Sequence, residues 1–350
     1  MDENQKPTEP ITRPMLPKTS FRLLCAACGL AVILGFALRT DSQPLQSSQS
    51  SLKPENPISV LAGNTLFAVY GRAFNVAPVL GHLGTYTGFE DMDKDIQPWI
   101  RDIKKHNDKK GVIPAVHLIY AMAIPCKPHD DCLLYLEGMT KDLVGTYIEP
   151  AAKRGWMVVL DTQIGKSNPV EQVKRMIDKG YLKYENVIVA LDPEFRVYPG
   201  RKTPGRPIGT LKASQINDVQ KMLDDYVRDQ KQSKKKILMV HQFGDANVKD
   251  GVPFMIENKR DLKTFDNVDL VIDVDGFGKQ PVKVTKYNRM TDSKVYPFIK
   301  FRGIKVFFPN QWEKHGHYDK PPLNMDQIFG VEPAQKGPKM QTKPDVLIIC

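Results

Sequence analysis

Asp192 and Glu194 stand two residues apart, directly after the apolar run 187–191. On an extended strand that spacing puts both side chains on one face. Pro193 between them lacks an N–H and holds Asp192 extended, which suits the exit of a strand. Two crowded carboxyls resist ionising together, so one keeps a proton near neutral pH and can act as an acid. Polar residues follow other apolar runs in the same way: Asp161-Thr162-Gln163 after 157–160, His241-Gln242 after 237–240 and Asp273-Val274-Asp275-Gly276 after 268–272, with His117 inside the run 112–119. Glu194, Asp192, Asp161, Asp273 and His241 are therefore the candidate catalytic residues. Gln163, Gln242, Asp275 and His117 are candidate substrate contacts. Each has a competing structural role. A strand-end Asp can bond loop backbone, Glu194 can pair with Arg196 or Arg206, and His241 and above all His117 can be buried, hydrogen-bonded histidines.

Such residues act together only if the elements that carry them end side by side. Short β-branched runs at 66–70, 112–119, 157–160, 187–191, 237–240, 268–272, 304–308 and 346–349 alternate with longer stretches. Continuous apolar runs suit parallel strands buried on both faces. Between them, helical spacing predicts helices over 95–105, 133–154, 170–179, 214–230 (with Ser214 as its cap) and 326–329. Eight alternations predict an α/β fold of one (β/α)8 TIM barrel, whose strand C-termini form the functional rim. An open doubly wound sheet is the runner-up. It lacks a Gly-x-Gly-x-x-Gly after the first strand, so no dinucleotide and no other cofactor is expected. No helix follows the eighth run, so the wall there must be covered by residues 59–63 or by an insertion.

The stretch from Leu66 to Ile349, through the segments VVLDTQIG, ALDPEF, PGRPIGT, MVHQF and DVDGFG, resembles a group of bacterial exported proteins of uncharacterised activity with a glycoside-hydrolase-like barrel. ALDPEF is also weakly similar to the Asp-x-Glu strand-four motif of chitinase-type glycoside hydrolases. That resemblance implies Glu194 as general acid and Asp192 as its helper. Two earlier acidic positions of the motif are Val187 and Ala190 here, and its Trp is Pro193. The acetamido-assisted mechanism of that family therefore does not carry over.

After the fourth strand comes a basic loop, residues 196–206, in which Tyr198 suits stacking on a sugar ring and Arg206 suits bidentate contact with an anion. Three functions compete. The first is a glycoside hydrolase acting on an envelope or extracellular carbohydrate, with Glu194 as acid and Asp192, Asp161 or Asp273 as its partner. The second is a carbohydrate-binding barrel without catalysis. The third is metal-assisted hydrolysis of a phosphoester or amide through Asp161, Asp192, Glu194, His241 and Asp273. The first strand reads Val69-Tyr70-Gly71-Arg72, without a His-x-His pair, and no metal is expected.

The net charge of +10 is spread among acidic neighbours, as in Arg101-Asp102-Ile103-Lys104-Lys105, so no nucleic-acid partner is expected. Residues 23–38 form an uncharged run of 16 residues flanked by Arg22 and Arg39, with Arg13 and Lys18 upstream. A hydrocarbon core needs about 17–20 apolar residues, a shortfall that snorkelling arginines can make up. The expectation is a cytoplasmic tail (1–22), a membrane anchor (23–38), a Ser/Gln/Pro-rich linker (39–58) and an extracytoplasmic barrel domain (59–350). A cleaved signal segment ending near Gly35-Phe36-Ala37 is the alternative. Outside the cytoplasm, Cys126 and Cys132 would close a short loop as a disulfide. The other reading of that pair is zinc with His129, for which no second Cys/His pair completes four ligands.

Overall fold

The computed structural model describes residues 56–76, 81–109, 111–244, 255–309 and 316–350. Eight parallel strands close on themselves: β1 (Asn64–Gly71), β2 (Gly111–Ala123), β4 (Met157–Thr162), β5 (Val187–Leu191), β7 (Lys236–Gln242), β9 (Val268–Val274), β10 (Phe301–Val306) and β11 (Val346–Ile349). Each pairs with the next of the eight along the chain, and β11 returns to β1, with Leu66 opposite Val346; the short β6 (Leu211–Lys212) and β8 (Ile256–Glu257) pair with each other outside the barrel. All eight expected runs are strands, because apolar side chains on both faces need cover on both. The lumen receives Leu66, Ala68, Ala115, Val159, Ile188, Ala190, Met239, Val271 and Ile348. The alternate residues, among them Phe67, Val116, Val158, Val189, Leu238, Ile272 and Leu347, face the helices.

The shell consists of α1 (Phe89–His106), α2 (Glu149–Lys153), α3 (Pro169–Asp178), α4 (Ala213–Asp229), α5 (Gln280–Met290) and α6 (Met325–Ile328). α1 buries Met92, Ile96, Ile100 and Ile103 on one face. The side chain of Asn168 accepts the Val170 N–H at 3.0 Å, which starts α3. α4 starts at Ala213 rather than after Ser214: the Gln215 side chain accepts the Lys212 N–H at 3.1 Å.

One expected helix is corrected, one helix appears that was not expected, and one of the two expected covers beside the last strand is excluded. Residues 133–154 are not one helix. Leu133–Tyr135 form β3, which pairs antiparallel with the long end of β2 through Ala121 and Tyr135. A 3-10 turn, Leu136–Gly138, a π turn, Val144–Ile148, and the short α2 follow. Unpaired backbone at the end of β2 captures a strand from a segment whose spacing favours helix, a tertiary override of local propensity. Conversely, α5 is a helix that apolar spacing does not reveal, because its buried face includes Gln280, Lys283 and Tyr287. Finally, residues 59–63 do not cover the wall beside the last strand. Leu61 joins the lumen cluster, and the Nζ of Lys109 binds the carbonyls of Leu61 and Asn64 at 2.9 and 3.2 Å. The cover comes from the insertion before β11: Leu323, Ile328, Phe329 and Met340 belong to the shell core, and Phe329 stacks on His106 of α1 at 5.8 Å.

The fold also begins before residue 59. Ile58 donates to the Ser233 carbonyl at 2.9 Å and accepts from Lys235 at 3.0 Å. Among the described residues no helix is long and apolar enough to cross a membrane; the run 23–38 lies outside them.

Candidate active site at the barrel mouth

The lumen is apolar through most of its depth and then changes character. Strand parity brings Tyr70, Asp161, Asp192, His241, Asp273, Lys305 and Cys350 inward at the C-terminal ends of seven strands, with His117 inward from midway along the long β2. They divide into a closed lower network and an open upper set.

The lower network is His117, Asp161, His241 and Asp273, each 0% exposed. His241 directs Nδ1 at Asp273 Oδ2, 2.8 Å away, and Nε2 at Asp161 Oδ2, 3.1 Å away. With both nitrogens facing carboxyl oxygens, the ring is satisfied by donating from both, as an imidazolium does. Burial alone would lower its proton affinity, but Asp161 and Asp273 raise it well above the ordinary range. Asp161 likewise is held low: burial opposes ionisation, and His241 and His117 outweigh it. His117 donates Nε2–H to the same Asp161 oxygen at 3.1 Å, and its burial disfavours a charge. Gly303 makes room for this network, since a Cβ there would stand 2.5 Å from Asp273 Oδ1.

The upper set opens into a cavity of about 600 Å³, lined by Tyr70, Gln163, Asp192, Glu194, Asp275 and Lys305 among others. That volume lies in the range of small-molecule and substrate sites. Lys305 Nζ is 3.1 Å from Asp275 Oδ2 and 3.5 Å above the Tyr70 ring. Asp275 also accepts the Gly276 N–H and lies 3.4 Å from His241 Nδ1. Burial would raise Asp275, but Lys305 and His241 bring it below the usual carboxylate range. Glu194 goes the other way. Burial, then the charge of Asp275, raise it to about 7. Asp192 is raised as well, by burial and by Glu194. One cavity thus contains two carboxyls whose proton affinity is raised and one whose affinity is lowered.

The Asp-Pro-Glu step is not a continuation of the strand. β5 stops at Leu191, Asp192 caps a 3-10 turn over Pro193–Phe195, and its Oδ1 accepts the Glu194 N–H at 3.1 Å. Both carboxyls nevertheless line the cavity. Arg196 does not pair with Glu194; it donates to the Thr210 carbonyl and to Gln215 at 3.1 and 2.9 Å.

Of the eleven residues singled out from sequence as catalytic or substrate-binding, Asp192, Glu194, Gln163, Asp275 and Arg206 line the cavity. Asp161, Asp273, His241 and His117 lie in the closed network, out of reach of a ligand there. Tyr198 is turned to Thr210, its hydroxyl 2.8 Å from the Thr210 Oγ1. Gln242 binds the Gly244 carbonyl at 3.0 Å and accepts from Lys259 at 2.6 Å. The cavity adds Lys305, Tyr70, Phe243, Phe277 and Phe307, which sequence reasoning missed. Lys305 had a signal: a lysine inside the apolar run 304–308 needs a buried partner.

Among the described residues, two His/Asp groups have ligand atoms close enough for a cation: His117 with Asp161 and His241, and His241 with Asp273 and Asp275. Both use His241, where a cation would have to replace a ring proton. Cys126 and Cys132 are joined to each other, with Cα atoms 4.5 Å apart, and are not a metal pair.

Fold and site together define a parallel eight-stranded α/β barrel with a charged mouth. Comparison with family models, with curated proteins and with solved structures found no match for this chain.

Proposed function

We propose that the barrel is an acid–base hydrolase of glycosidic bonds, acting on an envelope or extracellular carbohydrate, with Glu194 as general acid. One observation carries the reading: Glu194 and Asp275 line the same cavity, and their surroundings push their proton affinities apart, Glu194 up to about 7 and Asp275 down. Such a split separates an acid from a carboxylate that stays charged. Glu194 would give its proton to the glycosidic oxygen as the bond to the anomeric carbon lengthens, and the ionised Asp275 would stabilise the positive charge or take a proton from the attacking water. Asp192 holds the acid in place by capping its turn. Asp161 and Asp273, which the sequence offered as partners, are better read as the counter-charges of His241 beneath the site.

A specific observation supports a second reading, a barrel that binds carbohydrate without cleaving it. Asp275 is already engaged by Lys305, Gly276 and His241, which blunts it as a nucleophile or base.

We infer further that the run 23–38 tethers the chain to a membrane with the barrel on the extracytoplasmic side. The Cys126–Cys132 disulfide supports this, because such bonds persist in oxidising compartments.

The test is a screen of polysaccharides for binding and cleavage by the full chain, followed by Glu194→Gln on any substrate found. The amide keeps the shape and removes the transferable proton, so turnover should fall about 10²–10⁴-fold with binding retained. Turnover equal to that of the parent would refute the assignment of the acid. Binding without cleavage by the parent would establish the second reading.

A further inference from the structure

The wall of the cavity that follows β5 is chemically one-sided. From Phe195 to Asn217 the chain has no Asp or Glu and carries Arg196, Arg201, Lys202, Arg206 and Lys212. This segment is fastened over the barrel mouth. Gly209 N–H donates to the Glu194 carbonyl at 2.8 Å, Val197 N–H to Gly165 at 2.7 Å, and Cys126 N–H to the Lys202 carbonyl at 3.0 Å. Pro204, Gly205, Arg206 and Ile208 of this segment then line the cavity beside Glu194. The internal cation, Lys305, is matched by Asp275. The other two lining carboxyls are both held toward their neutral forms. Among the described residues, the positive charge of Arg206 at the rim is therefore offset by no ionised carboxylate of the lining.

A second feature points to the same kind of ligand. Phe277, at the mouth, is 49% exposed. It is nonetheless fixed, edge-on to Phe307 at 5.9 Å and tilted against His317 at 5.1 Å. A held but uncovered aromatic face over a polar cavity suits the apolar face of a sugar ring.

We propose that the cavity takes an anionic glycan, a sugar chain bearing carboxylate or phosphate groups, with Arg206 meeting the charge and Phe277 meeting a ring. This deepens the carbohydrate reading above and rests on it. A guanidinium binds either anion through two parallel N–H donors, which a lysine cannot reproduce.

The experiment measures binding to the full-length Glu194→Gln chain in detergent, at low and moderate salt, with three probes of matched length: an oligogalacturonide for carboxylate, a phosphodiester-linked glycan for phosphate, and a neutral chito-oligosaccharide. At least one anionic probe should bind about 10-fold or more tighter than the neutral one. Which of the two it is identifies the source of the charge. Adding Arg206→Ala should remove that margin, Arg206→Lys should restore only part of it, and Phe277→Ala should weaken charged and neutral probes alike. Equal or tighter binding of the neutral probe, or an anionic margin untouched by Arg206→Ala, overturns the anionic assignment and leaves the carbohydrate reading standing. Binding of no glycan of either kind in a broad screen overturns both.

Discussion

His241 Nδ1 lies 2.8 Å from Asp273 Oδ2, and the opposite edge of the same ring faces Asp161, so a buried cation sits between two buried carboxylates below the cavity. Removing one member of such a group leaves the others charged and uncompensated.

His241→Asn should therefore destabilise the barrel by about 3–5 kcal/mol. The sign follows from linkage. His241 is raised on folding, so its contribution is complete below its unfolded value, about 6.5, and is lost as pH rises through the higher folded value. Asp161 is lowered, so its contribution is complete above about 3.9 and is lost as pH falls. Urea unfolding of parent and variant should differ most between about pH 4 and 6.5. A difference that does not vary with pH would mean that the ring matters only for packing.

Activity should fall as pH rises through about 7, where Glu194 loses its proton, and should fall again at low pH, where Asp275 gains one. Lys305→Met removes the largest influence lowering Asp275, so Asp275 should hold its proton to higher pH and the acid limb of the profile should move upward. An acid limb that stays in place in that variant would show that it belongs to another group.

Lys236, the first residue of β7, is 1% exposed and bonded to the Tyr184 carbonyl at 2.8 Å. Burial lowers it to about 7. A lysine lowered on folding destabilises the fold at every pH below its unfolded value of about 10.4, most of all below 7. Lys236→Met should raise stability by about 2–4 kcal/mol near pH 6, less the lost hydrogen bond, with the gain shrinking toward pH 10. Thermal unfolding across that range checks the trend; a gain that grew with pH would contradict it.

The Cys126–Cys132 bond closes a loop whose ends are six positions apart and ties it, through Lys202, to the segment that lines the cavity. Replacing both cysteines by serine should cost only about 2 kcal/mol, because short loops restrict the unfolded chain least. It should weaken ligand binding more than it lowers stability, since Arg206 lies on the segment released. Calorimetry of unfolding and binding on the same samples separates the two effects.

The sequence by itself determined the barrel. A run of four to eight apolar, β-branched residues needs cover on both faces wherever it lies, so all eight strands were legible from 66–70 to 346–349, and the residue after each run had to fall on one rim. It also determined the Asp192/Glu194 pair and the place of Asp275 and Arg206 near it. Only the tertiary structure decided depth. Asp161 and Asp192 each close an apolar run, yet Asp161 is sealed in the buried network beside His241 while Asp192 lines the open cavity, because strands are staggered around a barrel and linear spacing carries no record of that stagger. The same limit hid the tie of Lys305 to Asp275, two residues thirty positions apart, and the pairing that made a strand of Leu133–Tyr135. Contacts between distant segments depend on how the chain closes, and local periodicity does not specify them.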